Sequence, residues 1–186
     1  IGISLCMIVK DEADLLRDCL ESARGAADEI VCVDTGSRDA SPSIAEAYGA
    51  RVLSFPWRED FAAARNHSLA AARGDWILHL DADERLAPGA GPLLRLLAAG
   101  GCDVAAFLLR QETPTPEGTR AGFLRLEWLP RLFRNGRGAR YVGAVHECVL
   151  PSLDGKGRVV YADVGIQHLG FVHSPGRVRE KALRNL

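Results

Sequence analysis

Apolar residues crowd together from Ile3 to Val9, and polar Lys10-Asp11-Glu12 closes the run. Leu15, Leu16, Cys19 and Leu20 then recur at helical spacing, which predicts an amphipathic helix from Lys10 to about Arg24. Glu29–Val33 reads as a second buried strand that stops at Asp34, and a turn-rich stretch runs from Thr35 to Pro42. Pro42 in a first helical turn fits Ser41 as the N-cap. That helix stops near Gly49, and Arg51–Phe55 makes a third strand. Asp60–Arg73 is an Ala-rich helix closed by Gly74, and Trp76–Leu80 is a fourth strand ending at Asp81. Nearly all-apolar strands alternating with helices are the signature of a parallel sheet covered on both faces.

The pattern changes after a helix at about Gly91–Ala99. Short runs with many turn residues follow: Val104–Arg110, Arg125–Phe133, Tyr141–Val142, Val159–Tyr161 and Val164–His168. They predict a smaller, mostly antiparallel portion over about residues 101–173 that continues the sheet and walls one side of a cleft. The expectation is a single α/β domain with a nucleotide-binding half over residues 1–100. Residues 174–186 read as the start of a helix cut in mid-course. With Ile1 in place of an initial Met, this predicts a further domain beyond Leu186.

Composition adds exclusions. The 186 residues carry a net charge of -1, with 47% hydrophobic and 25% charged residues. That is ordinary globular composition, with no general reason to expect nucleic acid or an anionic membrane as partner. No apolar run reaches the roughly 18–20 residues a membrane span needs, and no signal peptide opens the chain. Cys6, Cys19, Cys32, Cys102 and Cys148 are odd in number, form no C-x-x-C pair and sit mostly in apolar runs. Buried reduced thiols and a cytoplasmic location follow as expectations, with work at the inner face of a membrane left open.

In open α/β sheets the ligand site lies beyond the carboxyl ends of the parallel strands. Three predicted strands end there in polar residues: Lys10-Asp11-Glu12, Asp34, and Asp81-x-Asp83. Carboxylates converging on one edge repel each other unless a cation or a hydrogen-bonding ligand separates them. Two carboxylates one residue apart can hold a hard divalent ion together with substrate phosphate oxygens, as Mg²⁺ and Mn²⁺ prefer. Alone, such a pair also fits a helix cap or a solvated turn. Asp34 fits either a turn cap or a hydrogen bond to a nucleotide. Arg65, on the Ala-rich helix, fits either a solvated surface or a bidentate hold on a diphosphate.

Four segments resemble family 2 glycosyltransferases with the GT-A fold, in order and spacing. They are Ile8–Glu12, Val33–Asp39, Phe61–Asn66 and Leu80–Glu84. The later Arg131–Arg134, Val145–Glu147 and His168 are similar to one branch, which acts on lipopolysaccharide cores or precedes helical repeats. The resemblance implies a GT-A three-layer α/β/α sandwich and a nucleotide-sugar donor, with a UDP-sugar the expected one. It implies a divalent ion, Mn²⁺ or Mg²⁺, on Asp83, His168 and Asp81. Donor contacts are expected from Val9, Lys10, Glu12, Asp34, Arg65, Asp81, Ala82 and Asp83. The Glu-Asp pair that supplies the base in many members is missing, so Glu147, then His146, is the expected base. His79, inside a strand, reads as a satisfied core or wall residue, and Trp57, Trp128 and Tyr141 as core or as sugar-stacking rings.

The expected reaction is sugar transfer with inversion onto a hydroxyl of a glycan, a lipid-linked acceptor or a protein. Rival readings are a nucleotidyltransferase and a non-catalytic nucleotide- or carbohydrate-binding module. Against the first, Lys10-Asp11-Glu12 stands where a Gly-rich basic loop belongs. A P-loop kinase fails for want of G-x-x-x-x-G-K-[ST].

Overall fold

The protein is described by a computed structural model over residues 1–100, 103–114 and 125–170. The first half alternates strand and helix: β1 (Ile3–Val9), α1 (Ala13–Ser22), β2 (Glu29–Asp34), α2 (Ser41–Ala47), β3 (Arg51–Ser54), α3 (Phe61–Ala71) and β4 (Trp76–His79). A short strand, β5 (Glu84–Leu86), and α4 (Ala90–Ala99) follow. The second half holds β6 (Val104–Thr113), β7 (Arg125–Arg134), α5 (Leu150–Leu153) and β8 (Arg158–His168).

All eight strands form one sheet in the order β3-β2-β1-β4-β7-β6-β8-β5. β1, β2, β3 and β4 pair in parallel, and β7 then enters antiparallel between β4 and β6. β8 returns parallel to β6, and β5 closes the edge antiparallel to β8. The sheet is thus mostly parallel with antiparallel strands in its second half.

Alternation along the buried strands splits the core into two layers. Ile3, Leu5, Met7 and Val9 of β1 join Trp76, Leu78 and Leu80 against Leu16 and Leu20 of α1 and Leu94 of α4. On the other face Cys6, Val31, Ile77 and Phe133 meet Ala62 and Leu69 of α3 and Leu153 of α5. Small alanines on α3 let that helix lie close to β1 and β2. This is the expected three-layer α/β/α sandwich.

Some local expectations are corrected. Ser41 does not cap α2: it is the first helical residue, and the Asp39 carboxylate accepts its backbone N–H at 2.9 Å. The Ser41 hydroxyl instead accepts the Glu12 N–H at 2.8 Å, tying α2 to the entry of α1. Tyr141–Val142 is no strand, only a single bridge from Val142 to Cys148. The two runs after Arg158 form one strand whose register shifts against β6 keep it in the ladder. Residues 174–186 and Cys102 lie outside the described residues, and Cys6, Cys19, Cys32 and Cys148 are free thiols. Among the described residues no helix is long and apolar enough to cross a membrane.

Candidate active site

A cleft of about 440 Å³ opens where the parallel strands end. The end of β1 brings Val9 and Lys10 to it, with Glu12 just beyond, and the turn after β2 brings Thr35. Arg65 comes from α3, Asp81, Ala82 and Asp83 from the β4–β5 turn, and His168 from the end of β8. Trp57, Glu59 and Phe61 form a further wall that sequence patterns did not single out as donor contacts; Trp57 meets Phe61 edge-on at 4.7 Å between ring centres.

Asp34 stays out of the cleft lining. Its carboxylate accepts the Ser37 N–H at 3.0 Å and so caps the turn that aims Thr35 inward. Glu147 and His146 are also absent from the lining. His146 is exposed in a left-handed conformation with φ 58°. Glu147 is half-buried and accepts a hydrogen bond from Arg65 Nε at 2.5 Å. Asn66, the next residue on α3, clamps the same loop through both amide atoms. Its Nδ2 donates to Tyr141 O at 3.0 Å and its Oδ1 accepts from Tyr141 N at 2.7 Å.

The floor of the cleft is a buried charged network reaching across α3, β4, β5, β6 and β7. Arg65 donates from Nη2 to Asp81 Oδ1 at 2.9 Å and also touches His79. Arg131 of β7 reaches Asp81 Oδ2 at 3.4 Å, Gln111 Oε1 at 3.2 Å, Glu84 and the His79 ring. The Tyr141 hydroxyl sits 2.8 Å from His79 Nδ1. Burial, followed by the two guanidinium groups, pushes the His79 pKa down to about 3, so the ring is neutral and can accept their hydrogen bonds. Burial alone would raise Asp81, but Arg65, His79 and Arg131 hold its carboxyl well below the usual range. Glu84 is pushed up to about 7 by burial, against the pull of Arg131. Asp81 is therefore a fixed anion with its side chain still about one-third exposed to the cleft.

Asp83 takes a different direction. It is buried, and its Oδ2 faces His168 Nε2 at 3.6 Å. Burial disfavours protonated His168, but the Asp83 carboxylate more than offsets this and raises its pKa. The pairing is set by backbone: β5 and β8 place Glu84 opposite His168, and Leu169 N donates to Asp83 O at 2.8 Å. Among the described residues no three His, Cys, Asp or Glu side chains converge on one metal position. A hard ion in a shared site needs only one or two protein ligands beside phosphate oxygens and water, and one carboxylate facing one imidazole fits that demand.

The family described as Glycosyl transferase family 2 matches residues 4–148, and the chain belongs to that family. A TPR repeat-containing protein of Synechococcus elongatus is 47% identical over 151 residues, covering 81% of this chain and 36% of that protein. The lipopolysaccharide core biosynthesis glycosyltransferase LpsC of Rhizobium meliloti is 31% identical over 156 residues, 80% of this chain and 57% of LpsC. The chain thus spans less than two thirds of either relative. Among solved structures, S. aureus TarS 1-349 in complex with UDP-GlcNAc superposes with a TM-score of 0.68 at 16% identity, over 90% of this chain and 58% of TarS. Glucosyl-3-phosphoglycerate synthase of Mycobacterium tuberculosis, in complex with Mn²⁺ and UDP-glucose, gives a TM-score of 0.51 at 26% identity, over 59% of this chain and 43% of that one.

Proposed function

We propose that this chain is the catalytic domain of an inverting, divalent-metal-dependent glycosyltransferase that takes its sugar from a nucleotide-sugar donor, a UDP-sugar first. The observation that carries the reading is a fixed anion, Asp81, beside the Asp83–His168 pair in the lining of one cleft. The Mycobacterium neighbour, crystallised with Mn²⁺ and UDP-glucose, supports the choice of metal and donor.

In this reading the diphosphate lies against Lys10, Arg65 and the Asp81–Asp83 turn, while Val9, Thr35 and Trp57 wall the nucleoside. Asp83 and His168 would hold the ion, with Asp81 toward the ribose. Held there, it would supply positive charge opposite the departing diphosphate. Lys10 adds positive charge at the same edge. Glu147 is the assigned base, taking the proton from the acceptor hydroxyl as it attacks the anomeric carbon from the opposite side. It reaches the acceptor only after leaving Arg65, and an Arg65 that turns toward the diphosphate gives it that release. The acceptor is a hydroxyl of a glycan, lipid-linked sugar or protein. The TPR-named relative supports a helical repeat domain in the whole protein. The site of action is the cytoplasm, including the inner face of a membrane.

Calorimetric titration with UDP and GDP, each with and without Mn²⁺, tests the proposal. Tight UDP binding that requires Mn²⁺ is expected. Tight GDP binding would keep the transferase and change the donor. If neither nucleotide binds, the non-catalytic module replaces this reading.

A further inference from the structure

Just beyond His168 the chain passes over Asp83, and a glycine stands at the crossing. An ideal Cβ built on Gly170 would lie 2.6 Å from Asp83 Oδ2, 3.3 Å from Asp83 Cγ and 3.0 Å from His168 Nε2. Non-bonded carbon and oxygen do not approach to 2.6 Å without one of them moving. Gly170 has no left-handed φ, in contrast to nine other described glycines, so no left-handed turn accounts for a glycine at this position. Space, and not conformation, is what demands a glycine here.

Two further observations say what would have to give. Leu169 N is bonded to Asp83 O at 2.8 Å, which fixes the two backbones against each other. The His168 ring is held from its other side by Thr113, with Oγ1 3.3 Å from Nδ1. The movable atoms are therefore those of the Asp83 carboxylate, at the end of a short side chain that is itself buried.

We propose that Gly170 is a positioning residue for the Asp83–His168 pair: only a hydrogen at this position lets Oδ2 and Nε2 face each other, so position 170 controls metal-dependent nucleotide binding. This rests on the assignment of Asp83 and His168 as metal-holding groups. A methyl group at 170 turns the Asp83 carboxylate away while leaving sheet and core untouched. Displacing a group that orients a metal ligand typically weakens affinity about 10–100-fold.

The test compares wild type, Gly170→Ala and Asp83→Ala by thermal melting without ligand, and by calorimetry with whichever of UDP and GDP the wild type binds in Mn²⁺. Gly170→Ala is expected to melt with the wild type and to lose about tenfold or more in Mn²⁺-dependent nucleotide affinity. Its residual nucleotide binding in EDTA should match wild type. Wild-type affinity in Gly170→Ala beside a dead Asp83→Ala overturns the role of Gly170 and leaves the metal pair standing. Wild-type affinity in Asp83→Ala removes the metal pair itself and this proposal with it. If Gly170→Ala melts early, the double variant Asp83→Ala/Gly170→Ala decides. Restored melting supports the clash with the carboxylate, and unrestored melting overturns it.

Discussion

Arg65 and Glu147 lie 82 positions apart in the chain and meet through one hydrogen bond, Nε to Oε1 at 2.5 Å. The same guanidinium holds Asp81 from Nη2 and touches the His79 ring, so one arginine links the loop before α5 to the cleft floor. In the proposed mechanism Arg65 would grip a diphosphate only by exchanging partners, and Glu147 would be the partner whose release frees a base. Glu147→Gln keeps an acceptor oxygen for Arg65 but removes both the charge and the basicity of the carboxylate. This variant should therefore bind nucleotide at least as tightly as wild type and lose about 10²–10⁴ in kcat. Steady-state rates beside calorimetric affinities check this. A near-normal kcat would leave Glu147 as an anchor of Arg65 and move the base elsewhere.

Asp83→Ala removes the carboxylate that faces His168 at 3.6 Å. Asp81, held by Arg65 and Arg131, stays in place in that variant. Metal-dependent nucleotide binding should fall below detection while far-ultraviolet circular dichroism is unchanged. Activity equal to wild type, or equal activity of wild type with and without EDTA, would refute metal dependence.

The first half of this fold is legible because each parallel strand centres on an apolar run and the turns between them are polar. β1 was read at Ile3–Val9, the bounds the structure has. β5 escaped because Glu84-Arg85-Leu86 carries two charges, and its burial depends on partners that include Arg131, 47 positions from Glu84, and Asp18 beside Arg85. The Asp81–Asp83 turn was readable from spacing. Its division of labour was not, since it depends on which side chains arrive from β7 and β8. Asn66 shows the same limit, since it stands in a motif segment and clamps a loop 75 positions away, whereas the Asp34 turn cap is one of the two roles its sequence allows. Gly170 carries no local signal at all, because its reason is a neighbour 87 positions earlier.

Asn66 gives a stability prediction with a functional consequence. Its amide bonds both backbone polar groups of Tyr141, and Tyr141 in turn supports His79 beneath the cleft. Asn66→Ala leaves two backbone groups unpaired and should cost about 1–3 kcal/mol in urea unfolding. Asn66→Asp keeps the acceptor for Tyr141 N but sets a carboxylate oxygen against Tyr141 O, so it should also fall below wild type. If alanine and wild type unfold at the same urea concentration, the clamp does not hold the loop in solution.

Acid sensitivity follows from Asp28, at the entry to β2. Its carboxylate accepts the Ile3 N–H at 2.7 Å and is gripped by the Arg95 fork at 3.1 and 3.3 Å. The backbone hydrogen bond first, then Arg95, holds its pKa below the ordinary value of 3.8. The unfolded chain therefore takes up this proton before the folded one does. The stabilisation is fully present above the unfolded value and is lost as pH falls through the lower folded value. Asp28→Asn should be less stable than wild type at neutral pH, and the gap should narrow as pH drops below about 4. Urea midpoints of both proteins from neutral pH down to about pH 2 measure it. A gap that stays constant over that range would mean that Asp28 stabilises by packing and hydrogen bonding alone, with no contribution from its charge.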